Sequence, residues 1–198
     1  KHMAKVVLGL SGGVDSAVAA RLLQRAGHEV FGLYLDTGSD AARADAIATA
    51  EYLSVPLTVR DVRGELEEKV CRPFTESYLR GETPNPCILC NPSVKFKSLI
   101  DCADRLGAPF VATGHYARAR DGMLFKGMPA NDQSYMLCRL RRDQVERIGR
   151  VAELFGHLAA DFIAHDPREI DVTERLLTPV FVTGHDHAGH PEEDDVGT

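Results

Sequence analysis

The segment Ser11-Gly12-Gly13-Val14-Asp15-Ser16 lies where an apolar strand hands over to a helix, and no other stretch restricts the fold as much. Before it, Ala4-Lys5-Val6-Val7-Leu8-Gly9-Leu10 is short, apolar and β-branched, the pattern of a buried parallel strand. After it, Val18, Leu22, Leu23 and Ala26 recur at helical spacing, with Arg21, Gln24 and Arg25 toward solvent, until Gly27 ends the helix. Such a junction aims unpaired backbone N–H groups and the positive end of a helix at one point. Gly12 and Gly13 lack a Cβ, so a phosphate oxygen can approach the backbone there. Ser11 and Ser16 add hydroxyl donors, and Asp15 is suited to hold Mg²⁺ or to orient the loop. The segment reads as a phosphate-binding loop.

Strand and helix signals then alternate, which predicts an α/β fold, a doubly wound parallel sheet of about five strands covered on both faces. Strands are expected at 4–10, 28–35, 56–62 and 110–113, with a further one at 177–183. Helices are expected at 16–26, 40–53, 65–80, 94–106 and 141–164. Met123-Leu124-Phe125 suits one arm of a hairpin, and 135–140 a strand or a helix start. In open parallel sheets ligands bind beyond the carboxyl ends of the strands. The Ser11 loop, Leu35-Asp36-Thr37 and Thr113-Gly114-His115 all fall at such ends and should converge on one nucleotide-sized site.

Charge sets the body of the chain, 4–150, apart from 151–198, an acidic helical segment with a disordered tail. The second part carries 2 Arg against 11 Asp or Glu, whereas the whole chain of 198 residues has a net charge of −6. Its His185, His187 and His190 read as solvated tail residues rather than metal ligands. Arg139, Arg141, Arg142, Arg147 and Arg150 form a basic run that suits an RNA backbone or a solvated helix face equally. No apolar stretch approaches the ~20 residues of a membrane span. Five cysteines, an odd number beside a nucleotide-type loop, point to the reducing cytoplasm rather than to a disulfide framework.

Thr83-Pro84-Asn85-Pro86-Cys87-Ile88-Leu89-Cys90-Asn91 is the second informative segment. Its prolines stiffen a loop, and Cys90 is expected just before a helix starting near Ser93. There the helix dipole, Lys95 and Lys97 would favour the thiolate and make Cys90 a nucleophile. A closed zinc site needs four ligands, and no second C-x-x-C or C-x-x-H pair occurs.

Residues 9–16 (GLSGGVDS), 81–99 (GETPNPCILCNPSVKFKSL), 112–118 (ATGHYAR) and 132–137 (DQSYML) resemble, in order and spacing, the tRNA-specific 2-thiouridylases of the PP-loop ATP pyrophosphatase superfamily. The resemblance spans about residues 4–140. It implies the adenine nucleotide alpha hydrolase-like (PP-loop, HUP) form of the doubly wound sheet. It also implies ATP and Mg²⁺ as cofactors, tRNA as substrate, and adenylation of C2 of the wobble uridine followed by sulfur transfer.

By motif, the resemblance places Gly9, Ser11, Gly12, Gly13, Val14, Asp15, Ser16, Leu35 and Gly114 around ATP. It places Asn85, Pro86 and Cys87 against the target base, and His115, Asp132 and Gln133 against tRNA. Cys90, Cys87 and Asp15 are the catalytic candidates. The family's second catalytic cysteine lies well downstream, whereas no cysteine follows Cys138 here. Sulfur would then come from a partner donor protein, as persulfide or sulfide. Alternatively Cys87 and Cys90 would join Cys71 or Cys102 in an iron–sulfur cluster. Two other functions suit the same residues: a PP-loop enzyme adenylating another acceptor, and a nucleotide-binding module that carries metal or sulfur.

Overall fold

A computed structural model of the chain describes residues 3–127 and 130–148. Four parallel strands form the sheet in the order β3-β2-β1-β4, with β1 at Lys5–Gly9, β2 at Glu29–Asp36, β3 at Leu57–Asp61 and β4 at Phe110–Ala112. β1 is flanked on both sides: Val6 pairs with Val30 in β2 and with Phe110 in β4. Val6, Val7 and Leu8 are accordingly 0% exposed, which is why this strand reads as an unbroken apolar run.

Successive side chains of β1 enter opposite layers. Val6 and Leu8 pack with Ala20 and Leu23 of α1 (Val14–Arg25) and with Ala50 and Leu53 of α2 (Asp40–Leu53). Val7 packs with Phe96, Leu99 and Ala103 of α6 (Phe96–Leu106) on the other face. This is the doubly wound arrangement. Between these layers the chain runs through two interrupted helices. α3 (Arg63–Leu66) and α4 (Arg72–Leu79) are joined by a π turn at Glu67–Cys71, while α5 (Cys87–Cys90) and α6 are joined by another at Asn91–Lys95. Each turn is followed or entered by a proline, Pro73 or Pro92, whose missing N–H breaks the ordinary i→i+4 ladder.

Four strands of the parallel sheet, not five, lie among the described residues; the segments 177–183 and 185–190 fall outside them. Met123-Leu124-Phe125 belongs to β6 (Met123–Lys126), antiparallel to β5 (Ala117–Arg120). Asp121 and Gly122 between them have φ 53° and 72°, the paired left-handed conformations of a two-residue hairpin turn. Residues 135–140 begin a 3₁₀ turn at Ser134–Leu137 rather than a strand. The helix expected at 141–164 is seen as α7 over 142–148, and the remainder lies outside the described residues.

Gln144 of α7 is 0% exposed and fully engaged. Its Nε2 donates to the Pro92 carbonyl at 2.9 Å, and its Oε1 accepts the Arg141 N–H at 3.0 Å. Replacing it with leucine removes both bonds and leaves the part-buried Pro92 carbonyl without this donor. We expect Gln144→Leu to destabilise the fold by about 2–4 kcal/mol, read from the urea midpoint.

Candidate active site

The chain order reverses at β1: β2 and β3 lie on one side and β4 on the other. The loops leaving β1 and β4 therefore part from adjacent strand ends and leave a crevice between them. A cavity of about 420 Å³ opens there, and its wall includes Gly9, Ser11, Asp15, Ser16, Leu35, Cys90, Gly114, His115 and Gln133. The three strand ends expected to converge do so, since Leu35 at the end of β2, Thr37 just after it and Thr113 after β4 share this wall with the Ser11 loop.

The loop is held by a buried hydroxyl. Ser16, 4% exposed, accepts the Ser11 N–H at 3.2 Å and donates to the Gly13 carbonyl at 2.9 Å. Its Oγ also lies 3.2 Å from the Ser11 Oγ, which accepts the Gly13 N–H at 3.4 Å. In this arrangement Ser16 spends its proton on the loop itself, and Ser11 is the hydroxyl exposed toward a ligand. Gly12 also has a packing role that the sequence did not show. A Cβ there would meet Ala46 N at 2.7 Å and the Asp45 carbonyl carbon at 2.8 Å, so the glycine lets α2 press against the loop. Gly114 serves a similar close approach from β4: its Cβ would lie 3.2 Å from the Asp15 carbonyl carbon.

Asp15 is joined to the opposite side of the crevice. The Tyr116 hydroxyl donates to Asp15 Oδ1 at 2.7 Å, and this bond to a carboxylate raises the Tyr116 pKa above the ordinary phenol value. Tyr116 in turn exchanges backbone bonds with Gln133, whose N–H donates to the Tyr116 carbonyl at 2.7 Å and whose Oε1 accepts the Tyr116 N–H at 3.0 Å. Asp132 works on its own backbone: it accepts the N–H groups of Gly127 at 2.7 Å and Ser134 at 3.1 Å, and these bonds lower its pKa. Gln133 lines the cavity and Asp132 does not. Tyr116 was visible in the sequence only as the neighbour of His115; nothing local announced its bond to a residue 101 positions away.

His115 is half-buried, its ring stacked on Phe96 with centroids 6.1 Å apart and its Nδ1 2.9 Å from the Thr113 hydroxyl. Desolvation, with the Lys95 charge adding to it, lowers its pKa from 6.5 to about 4. The ring is thus neutral at neutral pH, a hydrogen-bonding partner rather than a cation. The unfolded chain binds this proton more tightly than the native one, so stability is present above pH 6.5 and is lost as pH falls from there toward 4. Burial of His28 adds a smaller effect of the same sign. His115→Asn should flatten the stability profile between pH 4 and 6.5, measured by urea unfolding across that range.

The cysteines depart most from expectation. Cys90 does not precede a helix but ends α5 inside a helical run that begins at Cys87 and continues to Leu106. The Asn85 side chain starts this run by accepting the Cys87 N–H at 3.0 Å. Cys90 thus lies within the first turn of this run, its N–H donating to the Pro86 carbonyl at 2.9 Å. Burial raises its thiol pKa above the ordinary cysteine value, with Lys95 opposing the shift and the Cys87 and Cys71 thiols adding to it. Lys97 pairs with Asp101 at 2.7 Å instead of assisting the thiol.

Cys90 lines the cavity, whereas Asn85, Pro86, Cys87 and Val14 do not. Cys102 packs in the apolar layer under α6 at 2% exposure, unsuited to binding metal. Among the described residues no three His, Cys, Asp or Glu side chains gather as metal ligands. All five cysteines are free thiols. Three members of the basic run are engaged internally, Arg141 with Asp143, Arg142 with Glu146, and Arg147 with Asp104 at 2.8 Å, and Arg150 lies outside the described residues. No helix among the described residues is long and apolar enough to cross a membrane.

Comparison with known proteins fits this geometry. The family model described as the tRNA methyl transferase HUP domain matches residues 4–151. A tRNA-specific 2-thiouridylase of Delftia acidovorans is 44% identical over 164 residues, covering 74% of this chain and 44% of that protein. Its counterpart in Hydrogenovibrio crunogenus is 42% identical over 188 residues, covering 83% of this chain and 50% of that protein. The counterpart in Acidovorax sp. is 41% identical over an alignment of 225 positions, covering all of this chain and 59% of that protein. The chain spans about half the length of these curated relatives. With its doubly wound sheet, its crevice at the β1/β4 switch and this match over most of its length, the chain belongs to the tRNA methyl transferase HUP domain family, that of the tRNA-specific 2-thiouridylases.

Proposed function

We propose that the chain is the ATP-using part of a tRNA-uridine sulfurtransferase, adenylating C2 of a wobble uridine so that sulfur can replace its oxygen. One observation carries the reading: a single cavity joins the Ser11 loop, the Gly114 turn and the Cys90 thiol. The loop amides and the Ser11 hydroxyl receive the nucleotide phosphates, and the apolar wall at Leu35 takes the adenine. The C2 oxygen attacks the α-phosphorus and pyrophosphate leaves, giving an adenylate. Sulfide then adds at C2 and the C–O bond breaks to release AMP. Where the sulfur arrives as a persulfide, its terminal sulfur adds, and the Cys90 thiol then attacks the donor's sulfur, breaking the S–S bond to free the thione and leave a disulfide between Cys90 and the donor.

Mg²⁺, where bound, would neutralise charge growing on the leaving pyrophosphate. Asp15 is the carboxylate in the cavity wall that suits it, since this ion is commonly held by one or two carboxylates together with substrate phosphates. The cysteines do not present the donor set of an iron–sulfur cluster, so the reading takes sulfur from a partner protein as persulfide or sulfide. Asn85, Pro86 and Cys87, at the entry to the cysteine helix, are proposed to face the target base, and His115 and Gln133 the tRNA.

Pyrophosphate release from ATP, followed with and without unmodified tRNA, tests the reading. Stimulation by tRNA is expected, and digested product should show oxygen exchanged for sulfur. Equal release without tRNA would point to another acceptor. A mass gain corresponding to a methyl group would replace the chemistry proposed.

A further inference from the structure

Lys95 is the one Lys or Arg in the cavity wall among the described residues, and Asp15 is the one carboxylate. Cations elsewhere around this layer are neutralised: Lys97 by Asp101, Arg60 by Glu65 and Asp101, Arg63 by Asp61, and Arg43 by Asp36. Lys95 has no carboxylate within ion-pair distance among the described residues. An unpaired ammonium facing a crevice lined with phosphate-type donors is a counter-charge awaiting an anion.

The backbone puts it there by an irregular turn. Five positions apart on an ordinary α-helix, Cys90 and Lys95 would diverge by about 140°. The π turn closes instead with the Phe96 N–H donating to the Asn91 carbonyl, a step of five residues, which brings position i+5 back over position i. Both side chains consequently meet the same cavity. Two buried carboxamides tie the turn to its surroundings: Nδ2 of Asn91, within the turn, donates to the Met136 carbonyl at 2.9 Å, and Gln144 Nε2 of α7 donates to the Pro92 carbonyl. A feature that costs regular helix bonding, and is braced from two places, keeps Lys95 in the wall.

We propose that Lys95 is a further catalytic residue, the cation that pairs with the nucleotide's phosphate charge in the cavity and remains with it while the acceptor is adenylated. This rests on the ATP-binding reading above. Lys95 is exposed at the rim and makes no bond that holds the fold, so its replacement leaves a folded chain to assay.

The test is calorimetric titration of the 198-residue chain and of Lys95→Met and Lys95→Arg with ATP and, separately, with adenosine. Lys95→Met should weaken ATP by about tenfold or more while leaving adenosine unchanged, since one charge-assisted contact is lost. The salt dependence of ATP affinity should become shallower in step, and Lys95→Arg should restore most of the affinity. ATP affinity unchanged in Lys95→Met would overturn the assignment, as would equal weakening of ATP and adenosine, which marks a general distortion. If the unmodified chain bound neither compound, the nucleotide reading itself would fail, a result separable from the other two.

Discussion

Gly12→Ala is expected to destabilise the chain by about 3–5 kcal/mol and to abolish measurable ATP binding in whatever fraction stays folded. Two independent costs act at this position. The backbone sits at φ 84°, a conformation that costs a residue with a Cβ roughly 1 kcal/mol. The added methyl would also stand 2.7 Å from Ala46 N and 2.8 Å from the Asp45 carbonyl carbon. These are backbone atoms within α2, which cannot rotate aside as a side chain can. Relief requires the loop to lift from the helix, and that movement breaks the Ser11–Ser16–Gly13 bonds that shape the loop proposed to hold the phosphates. Gly13→Ala is the internal control. Its φ of −79° suits alanine, and the nearest atom to a new Cβ is the Ser11 Oγ at 3.5 Å. Urea midpoints and ATP titrations of both variants check the prediction, and equal behaviour would show that α2 does not set the loop.

The contrast between these two glycines marks what a sequence can and cannot say. Both were legible as loop glycines, because a buried strand before them and an amphipathic helix after them left a junction of known type. Only the packed fold shows that one faces α2, a helix nearly thirty residues away in the chain. Local signals worked wherever the interaction was local. The α2 boundaries at Asp40 and Leu53 follow from helical composition and a Ser39 cap whose hydroxyl accepts the Ala42 N–H, and Asp121-Gly122 makes the hairpin turn its sequence suits.

The site's convergence was legible too, because strand order and the ends of parallel strands dictate it. What stayed hidden were pairings made by tertiary contact, Tyr116 with Asp15 and Gln144 with Pro92. Hidden as well was the helix through Cys87–Lys95. Pro84, Pro86 and Pro92 read as loop signals, yet Pro86 serves as a helix cap and Pro92 is accommodated by a π turn. That misreading misplaced the thiol, since Cys90 sits inside the first turn of the helix rather than before it, and burial there raises its pKa instead of lowering it.

Cys90→Ser should leave tRNA-dependent pyrophosphate release within about threefold of the parent and reduce sulfur incorporation by about a hundredfold or more. The separation follows from geometry. On the proposed function, adenylation falls to the Ser11 loop, Gly114 and Lys95, none of which Cys90 touches through a hydrogen bond among the described residues. Sulfur handling needs a thiol at the cavity wall, and Cys90 is the cysteine that lines it. Serine keeps nearly the same volume but has no sulfur to donate, exchange or hold. Because burial keeps the Cys90 proton bound, alkylation by iodoacetamide should stay slow at neutral pH and rise only above the ordinary cysteine range. A thiol held this way is protected from oxidants until substrate or donor arrives, which suits a residue waiting for an adenylated base. Cys87→Ser, at a position outside the cavity wall, should depress sulfur incorporation far less. Should Cys90→Ser retain sulfur transfer while Cys87→Ser loses it, the roles of the two thiols would have to be exchanged, and the π turn would no longer mark the reacting centre.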